Sequence, residues 1–438
     1  MKIFFEVLFC KILRIVLKIF GKGSSFPGKF ILFFNPNVLL DIKLPKYVIA
    51  VTGSNGKTST VELINHVLSN NGLNVAYNYE GSNQIEGITT LLLCDSDFHG
   101  VCKSDVCLLE VDERYAEEIF SYFTPTHLLV SNLFRDQTTR NGNREWVYSC
   151  IERSISSNVN LILNADDPLS SLLSSKANKT VYYGIDKTSD NVNIGVFDDG
   201  IYCPKCNSKL VYHYRHFDNL GDYECSNCGH KKHETTYTIN DINLNESYIV
   251  INNKKVTLGF SSFYNAYNSL AAYSIARELG IEENSVIRSL NNYELKNKRI
   301  VKFNINNKKG IFLASKHENP VSYNQSMNYI RNYKKDVSVL IVVDQISRKY
   351  FTSETSWLWD IDFNLLKANN VCKIILSGKY TNDLAFRFEF TDINDIIVEK
   401  IDDIKTAVER LANVEQDDLF IITCFSDQAN VLSRVSSL

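Results

Sequence analysis

The stretch 47–60, Y-V-I-A-V-T-G-S-N-G-K-T-S-T, constrains the fold more than any other part of this chain. A short apolar run breaks into a turn holding Gly53 and Gly56 and is closed by Lys57, Thr58 and Ser59. Glycines let backbone N–H groups converge on phosphate oxygens at the start of the following helix, whose dipole favours negative charge. In such a loop the lysine reaches the outer phosphates and the hydroxyl of the next residue sits on Mg²⁺. Gly53, Asn55, Gly56, Lys57, Thr58 and Ser59 are therefore the candidate nucleotide-binding residues. The general phosphate-loop pattern has a further glycine where this chain has Val51.

Around that loop, apolar runs at 47–52, 106–111, 127–131 and 160–163 alternate with helix-like stretches such as 58–69 and 113–123. Strand followed by helix, repeated, predicts a parallel sheet covered on both faces. The pattern breaks near 191 into a cysteine-bearing segment, followed by hairpin-like strands at 235–260 and a helix over 269–280 that Gly280 is placed to end. A second alternation begins near 300, with buried-strand candidates at 337–343, 371–376 and 418–423. The expected class is α/β: an ATP-binding domain over 47–298, interrupted by an insertion at 201–234, then a smaller α/β domain over 299–438. A length of 438 residues suits this count of domains.

Charge argues against one class of partner as the default. With 47 Lys and Arg against 50 Asp and Glu, a net charge of −3 offers no global attraction to nucleic acid, and none is expected as a ligand. The 11 cysteines are odd in number and scattered apart from one tight set, which argues against a disulfide framework and for a reducing cytoplasm. That set, Cys203 and Cys206 followed by Cys225 and Cys228, has the spacing of a structural zinc site. Two-residue gaps let paired sulfurs take two corners of a tetrahedron, and Gly229 helps the turn. Four thiolates leave no open metal position. The ribbon's lysines and tyrosines read as a solvated surface.

The segment 1–46 begins with an apolar stretch interrupted by Lys2, Glu6, Lys11, Arg14 and Lys18. It is neither a membrane-spanning helix nor a signal peptide. Lys11, Arg14 and Lys18 share one helix face, with Leu8, Ile12, Ile15 and Ile19 opposite. Two readings stay open, a helix docked on its own domain and a helix at a membrane surface.

The loop T-G-S-N-G-K-T-S-T resembles that of the Mur ligase superfamily, which lacks the first glycine of the general pattern. Three further stretches agree. L-E-V-D-E at 109–113 ends a strand where that family places a magnesium-binding glutamate, here Glu110. Asn265 and Asn268 in F-Y-N-A-Y-N-S-L-A-A resemble its adenine-side asparagine motif, and N-A-D-D-P at 164–168 resembles a family turn that brings in Asp166. The resemblance implies ATP-dependent activation of a carboxylate as an acyl phosphate, followed by attack of an amine.

S-N-L-F-R-D-Q at 131–137, the ribbon, the short apolar N-terminus and S-W-L-W-D-I-D-F at 356–363 together resemble the MurT family, the ligase-like subunits of lipid II isoglutaminyl synthases. With the loop starting at 53, the N-terminal muropeptide domain of ordinary Mur ligases is expected to be absent. The likeness implies amidation of the α-carboxylate of D-glutamate in the lipid II stem peptide, with ammonia supplied by a separate GatD-like glutaminase subunit in a heterodimer. It also implies work at the inner face of the cell membrane. No cysteine outside the quartet has the glycine-flanked setting of a glutaminase nucleophile.

The C-terminal half departs from the family pattern. Glu318 precedes Asn319, and Ser322 stands in a glycine position. A junction motif survives as Arg299 with Val301 at its acidic place, and Tyr380 replaces an arginine, although Ser377, Gly378, Asp383 and Arg387 remain. Glu354 stands where the family has an acid thought to face the glutaminase, and is carried as a catalytic candidate beside Lys57 and Glu110. Two alternatives remain at this point: an amino-acid-adding Mur-type ligase working alone, and a catalytically weakened zinc-ribbon binding protein.

Overall fold

Apolar runs such as those at 106–111 and 127–131 are stable as strands only where both faces of the sheet are covered. The computed structural model describes residues 2–19, 21, 23–78, 82–137, 141–188, 200–294, 300–345 and 354–437; Arg299 lies outside these. In it β1 (Tyr47–Thr52), β3 (Val106–Glu110), β4 (His127–Val130) and β5 (Asn160–Asn164) bury every residue or all but the first. With β2 (Val75–Tyr77), β6 (Lys179–Ile185) and β9 (Tyr237–Asn243) they run parallel. β10 (Tyr248–Ile251) and β11 (Lys254–Thr257) extend one edge antiparallel.

The strand order is β11-β10-β9-β6-β5-β4-β1-β3-β2. Chain order reverses at β1, so the loops leaving the carboxyl ends of β1, β3 and β4 diverge around a crevice. Open α/β sheets bind their ligands at such a point.

Helix boundaries differ from expectation in two places, for local reasons. The helix expected over 269–280 begins at Phe263 and runs to Glu278. Its cap is Ser262, whose hydroxyl accepts from Asn265 N at 3.3 Å. Residues from Ala266 to Ala276 are buried without a break, so the helix runs through the interior. The stretch 113–123 is helical only at Ala116–Phe120. Before it, Arg114 N bonds back to Asp112 Oδ1 at 3.1 Å, an Asx turn that holds the chain out of helix.

Among the described residues, 2–134, 141–188 and 200–294 form one compact unit, and 135–137 with 300–437 form a second. The second unit has its own sheet, β12-β13-β17-β14-β15-β16. Here β12 (Ile300–Ile305) and β13 (Lys308–Ser315) form a hairpin whose turn residues Asn306 and Asn307 take φ of 46° and 65°. β13, β14 (Val337–Val342), β15 (Val371–Ser377), β16 (Ile397–Lys400) and β17 (Asp418–Cys424) run parallel. Leu340, Ile375, Ile421 and Phe312 form the centre of its core.

At the N-terminus, α1 (Lys2–Lys18) meets the first unit through Val7 and Cys10, both fully buried, while Ile12, Ile15 and Ile19 face solvent. The Lys11 ammonium turns inward and donates to Ser96 O at 2.5 Å. The helix therefore docks through a narrow stripe and leaves its broad apolar face outward. α2 (Phe26–Phe34) packs beside it and against α4 (Ile85–Asp95). Among the described residues no helix is long and apolar enough to cross a membrane.

Candidate functional site

The loop after β1 turns into α3 (Lys57–Asn70) through two glycines in left-handed or related conformations, Gly53 at φ 126° and Gly56 at φ 85°. A Cβ would lie 2.4 Å from Ser131 Oγ at Gly53 and 2.5 Å from Asn268 Oδ1 at Gly56, so both positions require glycine. The first amides of α3 have no carbonyl one turn back, and the helix has no side-chain cap. Donors of that kind, at the positive end of a helix dipole, suit a phosphate.

The loop is held from the carboxyl end of β4. Asn132 O accepts from Ser54 N and Asn132 Oδ1 from Asn55 N, each at 2.9 Å. Ser131 Oγ donates to Asn55 O at 2.8 Å, and Phe134 N donates to Ser54 Oγ at 3.0 Å. Sequence reasoning assigned Ser131 and Asn132 only to a family resemblance. Their bracing role carries no local signature, because it depends on β4 lying beside β1.

Lys57 is nearly buried. Its ammonium donates to the Gly53 carbonyl and forms an ion pair with Glu113 Oε2 at 2.8 Å. Burial acts to lower the Lys57 pKa, but Glu113, Glu110 and Asp112 together hold it above its usual value. The lysine is thus a fixed positive charge at the mouth of the loop. Glu113 is a site residue that sequence reasoning did not single out, although it lies in the acidic strand end that drew attention to Glu110.

Glu110 sits at the last position of β3, in register with Val51. It is buried, and Oε1 accepts from Asn83 Nδ2 at 3.0 Å. Asn78 fixes its backbone with paired bonds of 2.7 and 2.8 Å. Thr58 is exposed on the first turn of α3, Ser59 half-buried beside it. Asn268 Oδ1 accepts from Thr60 Oγ1 at 3.1 Å, tying the helix Phe263–Glu278 to α3 just behind Gly56. Asn265 lies one turn earlier, its amide donating to Phe260 O at 2.8 Å.

Asp166 and Asp167 are fully buried and act as junctions. Asp166 Oδ2 accepts from Tyr267 OH at 2.7 Å and from Ile185 N at 2.8 Å, and the Lys232 ammonium pairs with Oδ1 at 2.6 Å. Asp167 accepts from Leu133 N at 2.7 Å and Leu169 N at 3.0 Å; burial raises its pKa despite these bonds. Leu133 belongs to the segment bracing the loop, whereas Lys232 belongs to the end of the cysteine-bearing insertion. A continuous polar chain therefore runs from insertion to phosphate loop.

The four cysteines converge in that insertion, around the hairpin of β7 (Val211–Phe217) and β8 (Leu220–Glu224). Their sulfurs all lie within 4.8 Å of one another, with Cys203 and Cys228 at 3.6 Å and Cys206 and Cys225 at 3.5 Å. Two matching turns present them. Cys203 N bonds Ser208 O and Cys225 N bonds His230 O, both at 2.8 Å, with Asn207 (φ 59°) and Gly229 (φ 70°) at equivalent places. Bonds from Asn227 and Ser208 lower the Cys206 pKa to about 5, favouring the thiolate.

In the second unit Glu354 accepts from Ser356 N at 2.7 Å, and bonding from the Ser356 side chain and then from this N–H lowers its pKa. Lys316 pairs with Asp136, which also accepts from Asn319 Nδ2 at 2.8 Å. Glu318 O accepts from Gln137 N at 2.9 Å, and Ser322 N donates to Asn319 Oδ1 at 2.8 Å. Val301 pairs with Phe312 in the hairpin and packs on the core. Tyr380 N bonds Val343 O at 3.0 Å. The Arg387 guanidinium donates to Ile361 O at 3.0 Å and lies 5.4 Å from the Trp359 ring.

Comparison with known proteins agrees with this architecture. The Mur ligase middle domain family matches residues 51–276, and the MurT ligase C-terminal family matches 317–427. A curated relative from Staphylococcus aureus, the MurT subunit of lipid II isoglutaminyl synthase (glutamine-hydrolyzing), is 30% identical over 397 residues, 89% of this chain and 88% of its own. The subunit of the same name from Streptococcus pneumoniae is 30% identical over 412 residues, covering 92% and 89%. Among solved structures, a pseudomurein peptide ligase type C from Methanothermus fervidus superposes with a TM-score of 0.72 at 20% identity, over 95% of this chain and 85% of that one. MurF ligase from Thermotoga maritima in complex with ADP superposes at 0.58 and 16% identity, over 94% and 82%. The chain belongs to the MurT family of Mur ligases.

Proposed function

We propose that this chain is the ATP-dependent synthetase subunit of a two-chain glutamine amidotransferase, converting the D-glutamate of the lipid II stem peptide to D-isoglutamine. The observation that carries the reading is the glycine-lined, uncapped start of α3 with Lys57 fixed at its mouth and Glu110 on the adjacent strand end.

The residues fit the groups this chemistry needs. A Cβ would fill the loop at Gly53 and Gly56, so backbone amides can close on a triphosphate there. The exposed Thr58 hydroxyl and the Glu110 carboxylate are hard oxygen donors suited to Mg²⁺. The thiol spacing of 3.5 and 3.6 Å is close to the edge, about 3.8 Å, of a tetrahedron with metal–sulfur bonds of about 2.3 Å, which suits Zn²⁺. Zinc so bound supplies a structural cross-link, because four thiolates complete its shell.

Lys57 neutralises charge that builds on the transferring phosphoryl group, and Glu110 with Thr58 would hold a Mg²⁺ that would supply further positive charge at the outer phosphates. The α-carboxylate oxygen bonds to the terminal phosphorus as ADP leaves. Ammonia then attacks the acyl carbon, a proton is lost and phosphate departs. In the free protein Glu113 compensates the Lys57 charge, and exchanging that partner for phosphate keeps the lysine paired throughout. Ammonia comes from a GatD-like glutaminase. The exposed aromatic group Trp359, Phe386 and Phe390, with ring centroids 5.1 to 6.1 Å apart and Glu354 just before the 3₁₀ segment Ser356–Asp360 that carries Trp359, suits a partner surface.

The test is co-purification with a glutaminase of that kind, followed by incubation with ATP, glutamine and lipid II. Conversion of one stem-peptide carboxyl to carboxamide is expected. Incorporation of an amino acid by the chain alone would refute the reading.

A further inference from the structure

We propose that α1 and α2 form a docking surface for an anionic lipid bilayer, lying in its interface with the outward apolar face of α1 inserted. This inference is independent of the catalytic reading, so either can fail without the other.

Helices of soluble domains turn their apolar face inward. α1 does the reverse. Phe5, Phe9, Ile12, Val16 and Ile19 recur at alternating steps of four and three along its outer side. Phe5 is 62% exposed, Ile12 51%, Ile15 71% and Ile19 82%. The face continues onto α2, where Phe33 and Phe34 are 80% and 68% exposed. A ring contact joins the two helices, Phe9 meeting Phe30 at 5.1 Å, and within α2 Phe30 meets Phe34 at 5.0 Å. A contiguous apolar surface of this kind marks an interaction site rather than scattered exposure.

Charge identifies the occupant. Residues 1–40 hold six cations, Lys2, Lys11, Arg14, Lys18, Lys22 and Lys29, against the single acid Glu6, a surplus of five. The whole chain carries −3, so the remaining residues carry −8. Glu6 is turned aside to accept from Asn35 Nδ2 at 2.9 Å. Lys2 and Lys18 are exposed along the flanks of the apolar face, where stems lie on hydrocarbon and ammonium groups reach phosphate headgroups. Neither helix can span a bilayer, which leaves an in-plane position at the interface. An acidic body bearing one basic, apolar face is complementary to an anionic membrane surface.

Flotation of the full chain with vesicles of phosphatidylcholine alone, or with phosphatidylglycerol added, tests the proposal. Binding to the anionic vesicles that weakens with salt is expected. The double variant Ile12→Glu, Ile19→Glu changes only exposed positions; it should retain the melting temperature and lose vesicle binding by at least about tenfold. Lys2→Glu with Lys18→Glu should lower anionic binding by at least about fivefold and leave neutral vesicles unaffected. Absence of vesicle binding overturns the proposal. So does a self-associated chain, or a stable complex with the glutaminase, that the Ile12, Ile19 variant dissolves. Equal binding to both vesicle types overturns the role given to the lysines.

Discussion

Two helices that start at the carboxyl ends of parallel or paired strands treat their first amides in opposite ways. In the first unit α3 begins at Gly56, in the left-handed region and with no side-chain cap. In the second unit the helix Pro320–Arg331, after β13, begins at Asn319, whose side chain accepts from Ser322 N, with proline in the first turn. Asn319 is itself held by Asp136. One helix end leaves its first amides without a side-chain cap, as the proposed phosphate site requires; the other caps them internally. The same α/β architecture therefore gives an uncapped helix start in one place and a capped one in the other, and the N-cap residue marks the difference.

Substitutions in each unit can break or sharpen that contrast. Lys57→Ala should have the largest effect, lowering ATP turnover by at least about a thousandfold while zinc content stays unchanged; because it strands the buried Glu113 carboxylate, the double variant Lys57→Ala, Glu113→Gln should recover the melting temperature but not the turnover. Retained turnover would remove the phosphate loop from the chemistry. Cys206→Ser should abolish stoichiometric zinc, read by elemental analysis, and lower the melting temperature by on the order of 10 °C. Because Asp166 and Asp167 link the insertion to Leu133, nucleotide affinity should fall as well; unchanged affinity would show that this polar chain transmits nothing.

Gly56→Ala places a side chain at φ 85° against Asn268. Nucleotide affinity, measured by calorimetry, should weaken about tenfold to a hundredfold. Asn319→Ala removes a cap instead of a cradle. It should cost about 1–2 kcal/mol of stability in denaturant unfolding and leave nucleotide affinity intact. If the two variants exchanged phenotypes, the contrast between the helix ends would be wrong.

The smallest effect is expected at Glu399 on β16. Bonds from Arg410 and then Lys373 hold its pKa at about 2, below the usual 4.5. A carboxylate with a depressed folded value adds stability above its unfolded value, and that stability is lost as pH falls from about 4.5 through about 2. Glu399→Gln should flatten acid unfolding in that window, by less than about 1 kcal/mol because the pair is partly exposed.

What the sequence alone determined is local. An apolar run, two glycines and a lysine dictate strand, turn and helix because left-handed backbone at Gly53 and Gly56 is a property of those residues themselves. The cysteine spacing likewise dictates two turns, which the structure builds at 203–208 and 225–230. The parallel α/β class follows from runs buried on both faces. Tertiary structure decided everything that depends on partners distant in the chain. Glu113 reaches Lys57 across 56 residues and Asn268 reaches Thr60 across 208. Asp166 gathers Tyr267, Ile185 and Lys232 from three separate segments.

The amphipathic pattern of α1 was equally plain, yet periodicity states only that a helix has two faces. Which one docks is settled by what the rest of the molecule offers it. Here that is a narrow stripe for Val7 and Cys10 and a backbone oxygen for Lys11. Backbone conformation is set residue by residue, whereas side-chain pairing is set by the sheet order that brings β3 and β4 to either side of β1.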